Sequence, residues 1–385
     1  MTIDQIALLL AVGAVIGILY PHVLYPALLG ILRSIFKRPV HAAPNVVRVD
    51  VCVAAHNEAA VIERCIASIL AQRYDATLLR IIVGSDGSTD DTVARAAGNA
   101  SGRVHVLDLP RSGKNATLNA MLAVSSADIV VFTDADCVLH PDAVAQITQV
   151  FADERVGAAI GRNDRTMHSM ADDAGTRNEA LYRRMDDVVT GWESDMHSTV
   201  TSNGALYAIR RAFLEPLPGA RVADDLYHLV SVQRRGYRTV FVPSATAVEQ
   251  RENDLGREAL RTIRTASAGI ATVFRAPSIL FGAYGWPTFF HWSHRVMRWS
   301  GPFFLVVLFI ASIMSVSNTV QFGVLFYGQL FAYSLAMLGY AAERFGQRVP
   351  IASQAQFFVL MNACFLLAWF RAARASSIDR WEPTA

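Results

Sequence analysis

The chain has 385 residues, of which 52% are hydrophobic, with a formal net charge of +2 and a mean hydropathy of +0.29. That length holds one large domain plus accessory elements. The near-balanced charge excludes a surface generally adapted to nucleic acid, and the hydropathy is high for a wholly soluble enzyme. Four cysteines, Cys52, Cys65, Cys137 and Cys364, match neither a disulfide framework nor a zinc site. They read as small buried hydrophobes in a reducing compartment.

An apolar stretch runs from Ile6 to Ile31. It exceeds the ~20 residues that a bilayer requires. It is longer than a signal-peptide core and has no basic residue before it, so a transmembrane helix is predicted, kinked at Pro21 and Pro26. Arg33, Lys37 and Arg38 follow at once, which puts its C-terminal end in the cytoplasm.

Val46 to Val248 reads as one α/β domain. Apolar strand candidates are Val46–Ala54, Arg80–Val83, Val104–Leu107 and Ile129–Thr133. Amphipathic helix candidates lie between them at Glu58–Leu70, Asp90–Ala97 and Lys114–Val124. Short β-branched runs alternating with helices predict a mostly parallel sheet covered on both faces. Beyond these, Ala171–Val189 reads as a polar helix, Gly204–Ile209 as a short strand, Asp225–Arg235 as a helix, and Arg238–Val242 as a last strand before Pro243.

After about residue 255 the composition shifts. Arg257–Ala271 is a basic helix candidate, and Ile279–Trp299 mixes Phe, Trp, His and Arg in a way that suits the headgroup region. Pro302–Val316, Val320–Ala341 and Ala355–Phe370 are spanning candidates, the first and last short. The predicted division is a membrane helix with basic flank (1–40), an α/β domain (46–255), interfacial helices (256–300), membrane helices (301–372) and a tail (373–385). Four spans with the α/β domain inside would put Arg371, Arg374 and Arg380 outside, against the positive-inside rule. Either one short segment is re-entrant or the tail is an exception.

Three acidic sites stand out. Asp134-Ala135-Asp136 follows the strand Ile129–Thr133, and two carboxylates in that arrangement suit a hard divalent cation held against a diphosphate. Asp86-Gly87-Ser88 follows an earlier strand, and Asp224-Asp225 opens a helix. Ligands of such sheets sit beyond the carboxyl ends of the strands, so the loops at His56-Asn57-Glu58, Asp86 and Asp134 are predicted to converge on one rim. Local readings compete at several positions: Asn57, Glu58, Thr89, Asp90 and Asp225 also suit helix caps, and Lys114, one of two lysines in the chain, also suits a solvated surface. Arg257, Arg261 and Arg264 share one helix face, which suits either a diphosphate or anionic lipid. The histidines, His105 and His140 among them, show no metal-site spacing.

In order and spacing these elements resemble the bacterial family 2 glycosyltransferases, and in layout the membrane-attached members that build exopolysaccharide. The resemblance covers roughly residues 46–270. It rests on Val51–Glu58, Gly84–Thr92, Gly113-Lys114 with Leu118-Asn119, Asp134–Asp136, Asn203–Arg210, and Asp224-Asp225 ahead of Gly236-Tyr237-Arg238. It implies a GT-A (Rossmann-like) fold and an inverting enzyme at the inner membrane, with its catalytic domain cytoplasmic. A UDP-sugar would be the donor and a lipid-linked or polysaccharide saccharide the acceptor. Mg2+ or Mn2+ would be the cofactor, and membrane lipids and a polysaccharide assembly complex would be partners.

By the same resemblance Ala55 and Glu58 line the nucleoside pocket, Asp86 accepts from the uracil imide, and Lys114 contacts the nucleotide. Asp136 is then the main metal ligand with Asp134 beside it or near the ribose. Asn203 and Gly204 approach the sugars, Asp224 adjoins them, Arg261 and Arg264 clamp the diphosphate, and Asp225 is the catalytic base. The sequence departs from the family at Ala54, where proline is usual, and at Ser85, where an acid is common. It also has Thr265 where processive synthases carry the tryptophan that supports a growing chain. A single transfer is therefore the leading expectation, a processive synthase the alternative within the class, and an inactive scaffold or nucleotide sensor the alternative outside it.

Overall fold

The computed structural model describes residues 2–98, 102–167, 174–201, 203–219, 222–251, 255–347 and 349–374. The N-terminal apolar stretch is helical from α1 (Ile3–Leu19) through a π-helical turn (Tyr20–Leu24) into α2 (Tyr25–Phe36). Pro21 lies in that wider turn and Pro26 at the start of α2; each lacks the N–H for an intrahelical bond, and the π-helical turn takes up the break.

Strands β1 (Val49–Ala55), β2 (Leu79–Asp86), β3 (Val104–Leu109) and β4 (Ile129–Asp134) alternate with α3 (Ile62–Leu70), α4 (Thr92–Gly98) and α5 (Lys114–Val124). Then come β5 (Cys137–Leu139), α6 (Ala143–Gln149), β6 (Val156–Met167), α7 (Ala174–Met196), β7 (Tyr207–Arg210), α8 (Asp224–Arg234) and β8 (Arg238–Arg251). One eight-stranded sheet results, in the order β3-β2-β1-β4-β7-β6-β8-β5. β1 pairs in parallel with both β2 and β4, so the chain reverses its direction of growth between them. The register aligns Ala54 with Asp134 and Ala55 with Ser85. The carboxyl ends of β1, β2 and β4 therefore share one rim at the switch point, where such sheets bind ligands.

Period-two alternation sorts the core. Val49, Val51 and Val53 pack on Ile62, Ile66 and Ile69 of α3. Cys52 and Ala54 face Leu118 and Met121 of α5 and Leu229 and Val232 of α8. Cys52, Cys65, Cys137 and Cys364 are all free and buried.

The structure departs from the predicted elements in three places. α3 starts at Ile62 rather than Glu58, because Thr92 Oγ1 and Asp90 Oδ2 take the N–H groups of Glu58 and Ala59 at 2.8 and 3.1 Å and hold them in a loop. β8 continues beyond Pro243, since its pairing with β6 jumps from Val242 to Thr246 and a bulge absorbs the residue that has no N–H. β5, α6 and β6 have no counterpart among the predicted elements.

Beyond the sheet lie α9 (Leu255–Arg275), α10 (Ser278–Phe281), α11 (Trp286–Phe290), a π-helical run (His291–Val296), α12 (Met297–Trp299), α13 (Gly301–Met314), α14 (Val320–Arg344) and α15 (Pro350–Ala373). Among the described residues, three helices are long and apolar enough to cross a membrane: Ile3–Phe36, Val320–Arg344 and Pro350–Ala373. Trp286–Trp299 and Gly301–Met314, bent by 57° at their junction, make a fourth if the pair is one broken span.

Close packing beneath the rim yields a test. A Cβ on Gly84 of β2 would stand 2.6 Å from Thr117 Cγ2 and 3.0 Å from Met121 Cγ, both on α5. G84A is expected to cost about 1–3 kcal/mol through overpacking, read as a lower thermal unfolding midpoint of the full chain in detergent. An unchanged midpoint would mean that α5 backs away freely.

Candidate functional site

The rim brings Asp134, Asp136, Asp224 and Asp225 together. Asp134 ends β4, Asp136 and Cys137 follow it, and one ligand atom from each lies within 4.8 Å of the others. Asp224 and Asp225 begin α8. Lys114, the first residue of α5, joins the two groups: its Nζ lies 2.9 Å from Asp134 Oδ1 and 3.4 Å from Asp224 Oδ2. Burial disfavours its charge, but Asp134 and Asp224, with Asp225 behind them, outweigh that and hold the ammonium above the usual lysine range. The surface reading of Lys114 is thereby set aside.

Asp225 differs in kind from its neighbour. Burial and then the Asp224 charge raise its carboxyl to about 6, against the opposing pull of the Leu226 N–H, Lys114 and Arg295. A carboxylate so placed is ionised at neutral pH yet basic enough to accept a proton. Tyr207 donates its hydroxyl to Asp224 Oδ2 at 3.4 Å. Its ring stacks on Phe132, 4.6 Å between centroids, so the base of the cluster is an aromatic floor.

Glu58 is 8% exposed, and its carboxyl rises to about 7 through burial first and then Asp136, Asp134 and Asp90. Ala55 is fully buried at the end of β1, backbone included. Gly204 abuts Asp134: a Cβ there would stand 3.0 Å from Asp134 Oδ2. Asn203 shapes that turn, donating to the Gly161 carbonyl at 3.2 Å and accepting from the Ala205 N–H at 3.1 Å.

Two expected residues are otherwise engaged. Asp86 has 0% exposure. Its Oδ1 accepts from the N–H groups of Ser112 and Gly113 at 2.6 and 2.9 Å, and its Oδ2 from Arg111 Nη1 at 2.9 Å. In this structure it fixes the loop before Lys114 rather than facing the pocket. Arg261 donates to Glu249 Oε1 at 2.7 Å, so its guanidinium is held against β8, and Arg264 lies half-buried on the same helix, α9. Thr265, exposed on α9, returns its hydroxyl to the Arg261 carbonyl at 3.0 Å. No aromatic side chain stands at that position.

The donor set fits a hard cation. Burial and the Asp136 and Asp134 charges push the Cys137 thiol well up, and it points at Asp136 Oδ1 from 3.6 Å. Hard cations prefer oxygen to sulfur, so the ligands this set offers Mg2+ or Mn2+ are the carboxylate oxygens of Asp134 and Asp136, with waters and phosphate oxygens completing the shell.

Tyr207, Arg111 and Cys137 were not singled out as site residues by the sequence reading. Arg111 alone left a local signal, two residues ahead of Gly113-Lys114. The other two sit in apolar strand contexts that look like core.

Comparison with known proteins bears on the family and the fold. Residues 50–215 match the family model described as Glycosyl transferase family 2. An N-acetylglucosaminyltransferase of Mesorhizobium japonicum is 26% identical over 259 residues, 61% of this chain and 58% of the relative. A probable glycosyltransferase of Bacillus subtilis is 28% identical over 221 residues, 53% and 50% of the two. The chain thus spans little more than half the length of these curated relatives. A mannosyltransferase from Pyrobaculum calidifontis, solved in complex with GDP-Man and Mn2+, superposes with a TM-score of 0.72 at 23% identity, over 98% of this chain and 100% of that one. This likeness shows the fold: a Rossmann-like GT-A sheet with apolar helices at both ends. Residues 50–215 are thus similar to the family 2 glycosyltransferase domain, and the named glycosyltransferases among the relatives support an enzyme of that kind.

Proposed function

We propose that the chain is a metal-dependent, inverting glycosyltransferase that moves a sugar from a UDP-sugar to a membrane-associated, lipid-linked saccharide in cell-surface or exopolysaccharide synthesis. Its catalytic domain, residues 46–255, lies on the cytoplasmic side of a bacterial inner membrane. The observation that carries this reading is the junction at Lys114, which ties the Asp134–Asp136 pair to Asp224 and the buried Asp225 on one rim of the sheet.

The reaction follows from the roles these groups can take. Asp225 accepts the proton of the acceptor hydroxyl as that oxygen attacks the anomeric carbon from the face opposite the departing nucleotide, so the configuration inverts in one displacement. A divalent cation held by Asp134 and Asp136, when bound, offsets the charge on the departing diphosphate. Lys114 bridges Asp134 and Asp224 and stands close enough to Asp134 to meet a phosphate. Gly204 leaves room for the sugar beside Asp134. Ala55 and Glu58 flank the nucleoside, and Asp86 acts on it through the Arg111–Gly113 loop. Arg261 and Arg264 supply positive charge on the membrane side. The nearby apolar helices bring a lipid-linked acceptor to the rim. The exposed Thr265 speaks against a processive synthase, and the intact acidic set against an inactive scaffold.

The pH dependence of kcat/KM, which reports the free enzyme, tests the base. With the Asp225 carboxyl raised to about 6, its basic form is lost as pH falls, so kcat/KM should drop on the acid side with a midpoint near that value. D225N should lower kcat at neutral pH by about 10²–10⁴ and leave nucleotide binding in place, measured by transfer to acceptor and by calorimetry with UDP. Full transfer by D225N would remove Asp225 from the mechanism.

Metal dependence is a separate test. Excess chelator should abolish transfer, Mn2+ or Mg2+ should restore it, and D136N should need far more metal than the wild type. Activity undiminished in chelator would contradict the assignment of Asp136. For the donor, a panel of UDP-sugars and GDP-mannose (the latter because the mannosyltransferase was solved with it) is compared for protection against thermal unfolding, and the true donor raises the midpoint by mass action.

A further inference from the structure

Between α7 and the Gly204 turn the chain is gripped at two consecutive residues. The Thr199 carbonyl accepts from Gln233 Nε2 and from Thr239 Oγ1, both at 2.8 Å. The Val200 peptide is held from both sides: its N–H donates to Glu193 Oε2 at 3.2 Å, and its carbonyl accepts from Arg295 Nε at 3.0 Å. These partners are themselves bound to the membrane-proximal helices. Gln233 Oε1 stands 2.9 Å from His291 Nε2. Glu193 Oε1 accepts from the Tyr25 hydroxyl of α2 at 2.6 Å and stands 2.7 Å from His294 Nδ1.

His291, His294 and Arg295 fall at spacings of three and four, on one face of the interfacial segment. That face is π-helical from His291 to Val296, a geometry that recurs at functional sites. Glu193 has no exposure at all. A carboxylate sealed from water is costly unless its oxygens are fully bonded, and here Tyr25, His294, Thr199 and Val200 bond them. Arg295 also packs over the Trp299 ring, 5.8 Å from its centroid. That ring lies against Gly269, beside Leu226, the residue after Asp225.

We infer that Arg295 and Glu193 are positioning residues. By holding the Val200 peptide from both sides they set the Asn203–Gly204 turn against Asp134, so the acceptor side of the site takes its working shape only while α2 and the interfacial segment are docked. The catalytic half of this inference rests on the proposed glycosyl transfer; the structural half does not. Neither residue touches the reacting atoms. Arg295 also acts on Asp225 through its charge, which R295K keeps, and the positioning effect is the part that Val200 exchange reads.

The test uses the full chain in lipid nanodiscs, with UDP and Mn2+ as the bound probe, comparing the wild type with R295M, R295K and Y25F. Hydrogen exchange of the Val200 amide is read beside steady-state kinetics with whichever nucleotide sugar protects the wild type best. R295M is expected to speed Val200 exchange and to lower kcat about tenfold or more, with little change in the donor KM, because a small displacement at a reacting centre is costly in rate. R295K, which keeps the charge and an N–H donor, should recover most of both, and Y25F should show the same pattern more weakly. If R295M does not fold, R295K and Y25F are judged by the same readouts. Wild-type exchange at Val200 in these variants would overturn the clamp even where kcat falls. Faster exchange with unchanged kcat would overturn its link to the site. A wild type that transfers no sugar from any nucleotide sugar would instead sink the proposed function, while Val200 exchange still decides the clamp.

Discussion

Four carboxylates crowd the rim of the sheet, and the Lys114 ammonium bridges two of them, Asp134 and Asp224. Two unit charges ~4 Å apart interact by about 4 kcal/mol at the effective dielectric of a protein surface, so Asp134, Asp224 and Asp225 would repel one another strongly without Lys114 between them. Lys114 can serve because α5 begins at it. The loop before it is fixed by Asp86, through the Ser112 and Gly113 N–H groups and Arg111. The same helix also organises the approach to Asp224. Asn115 donates to the carbonyls of Gly219 and Val222 at 2.5 and 3.2 Å, and Asn119 exchanges two bonds with Leu217, at 3.0 and 2.8 Å. One helix therefore sets both the cation and one of the acidic groups it compensates.

The N-terminal helix is part of this fold rather than a tether. Arg33 pairs with Asp195 at 2.6 Å, the Arg38 N–H donates to the Asp195 carbonyl at 2.7 Å, and the Tyr25 hydroxyl reaches Glu193. Tyr25 and Leu29 are fully buried among Val189, Met196, Val200 and Phe290. Such an interface fixes the rim relative to the apolar helices, as the proposed lipid-linked acceptor would require. On the inference drawn above, the same contacts act through Glu193 and Arg295 on the Asn203–Gly204 turn.

The competing local readings were settled by tertiary contacts. Asp225 and Asp224 do sit in the first turn of a helix, where acids favour the dipole, and Asp225 bonds the Leu226 N–H. Ala223 is the N-cap and no side chain caps this end, so Asp225 is a first-turn acid rather than the cap, a place compatible with the proposed base role. Asp90 accepts from the Thr92 N–H at 3.0 Å and also from Ala59 across the loop, so it caps locally and stitches two loops together. Asn57 takes a positive φ of 53°, which asparagine tolerates better than most residues, and its side chain accepts from the Thr89 N–H at 2.8 Å. For Asp86 and Arg261 the outcome was different, since both side chains were claimed by neighbours distant in sequence.

Sequence alone determined the parallel half of the sheet, the membrane-compatible helices and the acidic residues of the rim. Those features are written in short-range patterns: β-branched runs of strand length, apolar stretches of bilayer length, and acids placed where a strand ends. What only the tertiary structure decided was the company each group keeps. Lys114 lies twenty residues from Asp134 and over a hundred from Asp224, Tyr25 lies far from Glu193, and Arg295 far from Val200. β5 and β6 were hidden for the same reason, because their pairing partner, β8, follows much later in the chain. Burial, charge compensation and pairing depend on distance through space, and a pattern in sequence carries distance only along the chain.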